Sequence, residues 1–340
     1  MYEFARGAYC DKSRARDGVR VYYTKYDRQG NIRPLVKAVI NPRKLLDRNS
    51  SYLGTMPRDE CSLERLYERF TDVMREQGLP EFFEDWRLSR ADLCVNLVCP
   101  QSKIARELIR TARKWPEPSK YKRLYPEMKH IILFHAGAVD VALYDKVFHI
   151  TDNGLLLEKE KLPNGVLRIE VQYRRAYIRR AAKKFDTEGD SWETLKALAL
   201  HSRRLLLKHL QRCFPAEDFC KPGLLEERIV DATYSAEEKR HMLALVGALC
   251  KRPTLDHALR AVAGEYGLGA YERKQILVRF ATLGVSPIPL KKNFYRDKLL
   301  SLPHILQEIE EDGTSEVVTD GSDDCTFSRI VQQGDKRKSV

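Results

Sequence analysis

Three short segments put charged side chains inside apolar, strand-forming runs: Arg90-Ala91-Asp92, Leu143-Tyr144-Asp145-Lys146 and Leu167-Arg168-Ile169-Glu170. A charge facing a protein core is costly unless it is paired or bound to a metal. Side chains along a strand alternate between faces. These segments therefore call for a sheet with an apolar face and a polar face. For any one segment a solvent-facing edge is the simpler explanation, but three in one region argue for a site. Arg90, Asp92, Cys94 and Asn96 share a face of their strand, and Arg168, Glu170 and Gln172 share a face of theirs. If those strands are neighbours, Asp92 and Glu170 meet across the sheet. Two such carboxylates form a hard-oxygen site suited to Mg²⁺ or Mn²⁺.

The surrounding periodicity sets the fold class. Alternating runs at 19–24 and 35–40 predict strands, with a turn at Gln29-Gly30-Asn31. Asn41-Pro42 closes the second strand. A helix follows, capped by Ser62 and stopped at Gly78-Leu79-Pro80, with Leu63, Leu66, Tyr67, Phe70, Val73 and Met74 on one face. Then come a strand at 86–98, a helix at 103–113, a loop at 114–129 and strands at 130–134 and 139–150. A hairpin spans 155–173, turning at Pro163-Asn164-Gly165. From 191 onward amphipathic helices dominate, at 191–213 and at 235–250 behind a Ser235–Glu238 capping box. A helix pair near 254–283 reads as bundle packing in preference to a helix-turn-helix. The expected fold is α+β, an antiparallel or mixed sheet with helices on one face, followed by a mostly helical C-terminal domain. The expected domains are 1–187 and 188–309, then an acidic tail at 310–340 whose composition suits disorder.

The net charge is +12, which favours a polyanionic partner, nucleic acid or an anionic surface. Eight cysteines include no CxxC pair and no zinc-like spacing, so they read as reduced, mostly buried side chains. No apolar run is long enough to span a bilayer and the start lacks a signal-peptide core, so the expected location is cytoplasmic, without membrane association.

Tyr144 and Lys146 share a face if the strand at 139–150 is regular. A tyrosine attacks phosphorus well as a phenolate, and its ordinary pKa is near 10. A nearby ammonium and a metal would both favour that form. His149 would face away from Tyr144 in a regular strand, and a bulge or strand end could bring it round. His130 and His135 fall on opposite faces and do not form the His-hydrophobe-His pair of the large nicking-enzyme class. Residues 103–129 carry nine Lys/Arg against three acids, and residues 168–184 carry seven against one, interleaved with aromatics. Cations hold phosphates and aromatics stack on unpaired bases. Arg90, Lys114, Lys120, Lys122, Arg123, Arg168, Arg174, Arg175, Arg179 and Arg180 are the expected DNA contacts.

Four segments, in order, resemble the filamentous-phage gene II type of replication initiator and, more loosely, the Rep_trans initiators of rolling-circle plasmids. They are Asn41-Pro42-Arg43-Lys44-Leu45-Leu46, Arg90-Ala91-Asp92-Leu93 with Asn96, Leu143-Tyr144-Asp145-Lys146, and Gly165-Val166-Leu167-Arg168-Ile169-Glu170-Val171 continuing to Tyr177. The resemblance covers roughly 35–185, with an echo at Val285-Ser286-Pro287-Ile288-Pro289-Leu290. It implies an origin-specific, metal-dependent nickase acting on single-stranded or supercoiled DNA. Tyr144 would bond to the 5′ phosphate and leave a 3′ hydroxyl for rolling-circle synthesis. Asp92 and Glu170 would hold Mg²⁺ or Mn²⁺. His149 stands where such initiators often carry a glutamate. A host helicase, a polymerase and a second copy of the chain are the further partners implied. Such initiators usually begin with a further strand before the one at Val19, which the short N-terminus here leaves missing or truncated. The alternative is a non-enzymatic DNA-binding regulatory relative with the same fold.

Overall fold

A computed structural model of the chain describes residues 2–4, 8–26, 32–155 and 162–311. The elements in order are β1 (Tyr2–Phe4), β2 (Ala8–Asp11), β3 (Val19–Tyr26), β4 (Ile32–Ile40), α1 (Pro42–Leu46) and α2 (Glu60–Glu76). Next come β5 (Arg90–Cys99), α3 (Ser102–Lys114), β6 (Lys122–Leu124), β7 (Ile131–Ala136), β8 (Val139–Asp145), α4 (Lys146–Asp152) and β9 (Gly165–Arg174). Then follow α5 (Arg175–Phe185), α6 (Ser191–Leu200), α7 (Ser202–Cys213), β10 (Phe219–Cys220), α8 (Pro222–Asp231) and α9 (Ala236–Lys251). The last are α10 (Leu255–Tyr266), α11 (Ala270–Thr282), β11 (Lys298–Leu299) and α12 (Leu302–Glu311). The fold is α+β, as expected. None of the described helices is long and apolar enough to cross a membrane.

The chain forms two compact units. One takes in the described residues of 1–89 and 178–200, the other the described residues of 90–154, 162–177 and 201–311. This division cuts across the expected boundary at 187. In the first unit β1 to β4 form an antiparallel meander. Val19 and Val21 pack with Leu63, Leu66, Phe70, Val73 and Met74 of α2, and Trp192 of α6 joins the same core. That distant tryptophan explains why 178–200 belongs here. The cap of α2 is Asp59, whose Oδ1 accepts from the Ser62 backbone N–H at 2.8 Å, so Ser62 lies in the first turn instead of capping it. Two short strands, β1 and β2, precede β3. The turn at Gln29-Gly30-Asn31 lies outside the described residues, as does most of the tail at 310–340.

The second unit is built on a five-stranded antiparallel sheet in the order β5-β9-β8-β7-β6. Its apolar face carries Leu93, Val95, Leu97, Leu167, Ile169, Val171, Val141, Leu143 and Phe134, all buried. Helix α3 packs on this sheet through Ile104, Ala105, Leu108 and Ile109, and α7 packs on β5 and β9. Gly165 opens β9 where any side chain would collide, since a Cβ there would lie 2.9 Å from the Ser102 Cα. Several boundaries differ from expectation. The strand expected at 86–98 begins at Arg90. The loop at 114–129 contains β6. The helix expected at 191–213 is two helices meeting at His201. Gly165 is the first residue of β9, and the first arm of the hairpin expected at 155–173 lies largely outside the described residues.

The largest difference concerns 139–150. The strand stops at Asp145, whose side chain accepts from the Phe148 backbone N–H at 3.0 Å and caps α4. An aspartate at this position satisfies an otherwise orphaned donor, which favours a helix start over a continued strand. Helix α4 then lies at the polar side of the sheet, so the helices do not all cover one face: the His149 ring, on α4, approaches the Tyr144 ring.

Leu97 is fully buried on the apolar face. Leu97→Ala is expected to destabilise this unit by about 3 kcal/mol, through lost transfer energy plus a cavity. Chemical denaturation followed by tryptophan fluorescence and circular dichroism checks it.

Candidate active site

Antiparallel register turns the polar face of the sheet into rows. Asn96, Arg168 and Tyr144 lie side by side on β5, β9 and β8. The next row is Cys94, Glu170 and Ala142, and the next is Asp92, Gln172 and Asp140. Arg90 and Arg174 pair beyond them. On β7, Ile131 stands opposite Tyr144 and His135 opposite Asp140.

The polar side chains are knitted to one another. The Tyr144 hydroxyl donates to Glu170 Oε2 at 3.1 Å, and Gln172 Nε2 donates to Glu170 Oε1 at 2.9 Å. Arg168 Nε donates to Asn96 Oδ1 at 2.6 Å. Arg90 Nε donates to Asp92 Oδ1 at 2.7 Å. Asp140 is buried and shared between His135 Nδ1 at 2.5 Å and an Arg174 amino group at 2.7 Å. Lys146, buried at the start of α4, holds its ammonium 5.9 Å from the centre of the Tyr144 ring. The His149 ring lies 5.4 Å from that ring, centre to centre. Both reach Tyr144 because α4 turns back, not because of strand parity.

These surroundings change the acids and bases. Burial, and then the charge of Glu170, push the Tyr144 phenol well above its ordinary range, while Arg168 acts in the opposite direction. The Tyr144 hydroxyl points its proton toward the Glu170 carboxylate. Burial lowers the Lys146 ammonium to about 8, with the charge of Arg168 adding to the effect. Desolvation and then the charges of Lys146 and Arg168 lower the His149 imidazole. Desolvation raises the Asp92 carboxyl, its bond to Arg90 opposes this, and the charges of Glu170 and Asp140 raise it further.

The expected metal set is brought together only in part. Asp92 and Glu170 share a face on adjacent strands, two rungs from direct opposition. Their hydrogen bonds run to Arg90, Tyr144 and Gln172. Among the described residues no group of three or more His, Cys, Asp or Glu side chains is placed to hold a metal ion. His149 does not complete such a trio with them.

The expected DNA contacts divide in two. Arg90, Arg168 and Arg174 lie on the polar face, and Lys122 is exposed on β6 opposite His135. Lys120 is exposed in the turn before β6, and Arg175, Arg179 and Arg180 are exposed on α5. Lys114 and Arg123 are engaged in packing. The Lys114 ammonium donates to the Leu249 and Arg252 carbonyls at the end of α9. The Arg123 guanidinium donates to the Arg113 and Trp115 carbonyls at the end of α3, at 2.9 and 3.0 Å. Both positions complement a helix C-terminus. Asp140 was not among the expected site residues, Gln172 was placed on the Glu170 face without a role, and His135 was considered only with His130. Asp140 was detectable, because it lies four residues before Tyr144 and so on the same strand face. Tyr173 is fully buried among Tyr177 and His209, away from this face.

No family model, curated protein or solved structure matches the chain.

The buried Lys146 yields a pH-dependent expectation. Its folded value of about 8 lies below the ordinary 10.4. Between those values the unfolded chain binds a proton that the folded chain has released, so this group makes stability rise with pH. Below pH 8 the folded protein carries a desolvated ammonium at a cost. Lys146→Met is therefore expected to raise the melting temperature at pH 7, with the gain shrinking toward zero by pH 10. Paired thermal melts across that range check it, since other titrating groups are common to both proteins.

Proposed function

We propose that the polar sheet face is the active site of a DNA-nicking and -joining enzyme, an initiator of rolling-circle replication, with Tyr144 as its nucleophile. The observation that carries this reading is the Tyr144 hydroxyl donating to Glu170 beside Lys146 and Arg168. A phenol that is hard to ionise needs a base in contact, and Glu170 is that base. Tyr144 Oη attacks the phosphorus of a phosphodiester, and its proton passes to Glu170 Oε2. The bond from phosphorus to the 3′ oxygen breaks as the bond to Oη forms. Lys146, an ammonium at neutral pH with a value near 8, supplies the proton that the departing 3′ oxygen takes up. The products are a 5′-phosphotyrosine and a free 3′ hydroxyl. Arg168 and Lys146 offset the negative charge that builds on the phosphoryl oxygens.

A divalent cation at this face would have two protein carboxylates and would keep most of its water. Mg²⁺ is commonly bound through one or two carboxylates, and Asp92 and Glu170 would supply them, with His149 better suited to Mn²⁺. Such an ion would polarise the phosphoryl group. The shortage of a third donor favours one other reading, a non-enzymatic DNA-binding protein that uses the same cationic face.

Tyr144→Phe is expected to abolish covalent attachment to DNA while leaving equilibrium binding within about twofold. Glu170→Gln is expected to slow attachment by roughly 10²–10⁴-fold. Gel assays of radiolabelled single-stranded and supercoiled DNA with Mg²⁺ or Mn²⁺ measure both. A wild-type protein that binds DNA in these assays and never cuts would establish the non-enzymatic reading.

A further inference from the structure

Away from the sheet, α10 and α11 form an arrangement that the chemistry above does not use. Three residues, Gly267-Leu268-Gly269, join them. Gly267 takes φ +65°, the left-handed conformation that glycine adopts without strain, and its backbone N–H closes α10 on the Ala263 carbonyl. Leu255, Ala258 and Val262 of α10 and Ile276 and Phe280 of α11 are buried, and both helices pack on α9. They make few contacts with each other. Helices of 12 and 13 residues laid side by side would touch along their length, so these two diverge from the turn. A groove of about 340 Å³ opens between them, and Arg260, Arg273 and Lys274 line it with Leu259, Leu277 and Asp256. A tight glycine turn between diverging helices is the helix-turn-helix arrangement. Burial of Ile276 and Phe280 leaves another face of α11 in water. On it Tyr271 is 69% exposed and Val278 46%, with exposed Lys274 and half-buried Gln275 between them at helical spacing. Residues 251–282 carry six Lys/Arg against three acids, so the surface suits a polyanion.

We propose that α10 and α11 are a module that reads the sequence of duplex DNA, separate from the polar sheet face, with α11 lying in the major groove. The exposed face of α11 fits base edges there. Lys274 can donate to O6 and N7 of guanine, Gln275 can pair with N6 and N7 of adenine, and Val278 can pack on a thymine methyl. Arg260, exposed on α10, holds a phosphate where the first helix of such a pair crosses the backbone. A polyanion held by charge alone needs none of Tyr271, Gln275 and Val278, whereas base edges use them. The inference does not rest on the nicking reading: it concerns which duplex the chain binds, whether or not Tyr144 cuts it.

The test uses the full-length protein to select from a library of short duplexes with a randomised core. Wild type is expected to enrich one sequence motif and to hold the selected duplex roughly tenfold or more tighter than a scrambled duplex of the same composition. Gln275→Ala is expected to lose roughly tenfold on the selected duplex and nothing on the scrambled one, relaxing the preference at one base pair. Tyr271→Ala, at a position that takes no part in the core, is expected to weaken the selected duplex too, and thermal melts matching wild type separate this loss from misfolding. No enriched motif, or a selected duplex held equally by wild type and both variants, would overturn the module. Self-association of wild type that Tyr271→Ala abolishes, with duplex binding intact, would make α11 a contact between copies of this chain and would also overturn it. Tyr144→Phe is expected to keep the motif. A protein that selects a duplex and never attaches to DNA sinks the nicking reading alone, and one that attaches without any duplex preference sinks the module alone.

Discussion

The site depends on the position of β9 between β5 and β8. Its hydrogen bonds to both neighbours set a single register, and that register aligns Asn96, Arg168 and Tyr144 in one row and brings Glu170 into the next. A slip of one residue would turn Arg168 and Glu170 into the core and bring Leu167 and Ile169 out to solvent. The buried apolar face, packed under α3, makes such a slip prohibitive. The same burial that stabilises the sheet therefore fixes the geometry of its polar face. Tight packing at Gly165 against the start of α3 pins the near end of β9 in the same register.

On that frame the charged groups are arranged so that few are left without compensation. Asp140 is buried, and it is tolerable there because His135 and Arg174 both reach it. Losing both partners would leave a buried carboxylate uncompensated, which ties His135 and Arg174 to this end of the face. Lys146 is different: it is buried beside an aromatic ring, and its proton is held loosely. Tyr144 and Glu170 form a hydrogen-bonded donor–acceptor pair. An ion-pair network thus stands next to a lysine whose ammonium is lowered and a hydrogen-bonded phenol, a perturbed cluster of the kind that marks candidate functional sites.

Local signals were strong where periodicity and burial agree. The α2 face from Leu63 to Met74 and the alternation that brings Asp92 and Glu170 to one face could be read from the residues alone. Reading failed where the outcome hangs on contacts distant in sequence, or on one capping residue. Asp145 fits the end of a strand and the cap of a helix equally well, so Lys146 and His149 were assigned to a strand when they lie on α4. Lys114 and Arg123, expected at DNA, also donate to carbonyls at helix ends, which a cation in the sequence does not reveal. Trp192 packs with Tyr67 and Phe83, contacts over a hundred residues apart that place 178–200 with the N-terminal sheet. Asp140 shares its strand face with Tyr144, but its partners could be known only from the register.

The central claim is that Tyr144 takes up DNA phosphate. Its most direct measurement is mass spectrometry of the protein after reaction with single-stranded or supercoiled DNA, nuclease digestion and proteolysis. The account expects a 5′-linked nucleotide on the peptide that contains Tyr144, with fragmentation locating it on that side chain. A nucleotide on any other residue, or cut DNA with no protein-linked 5′ end, would contradict it.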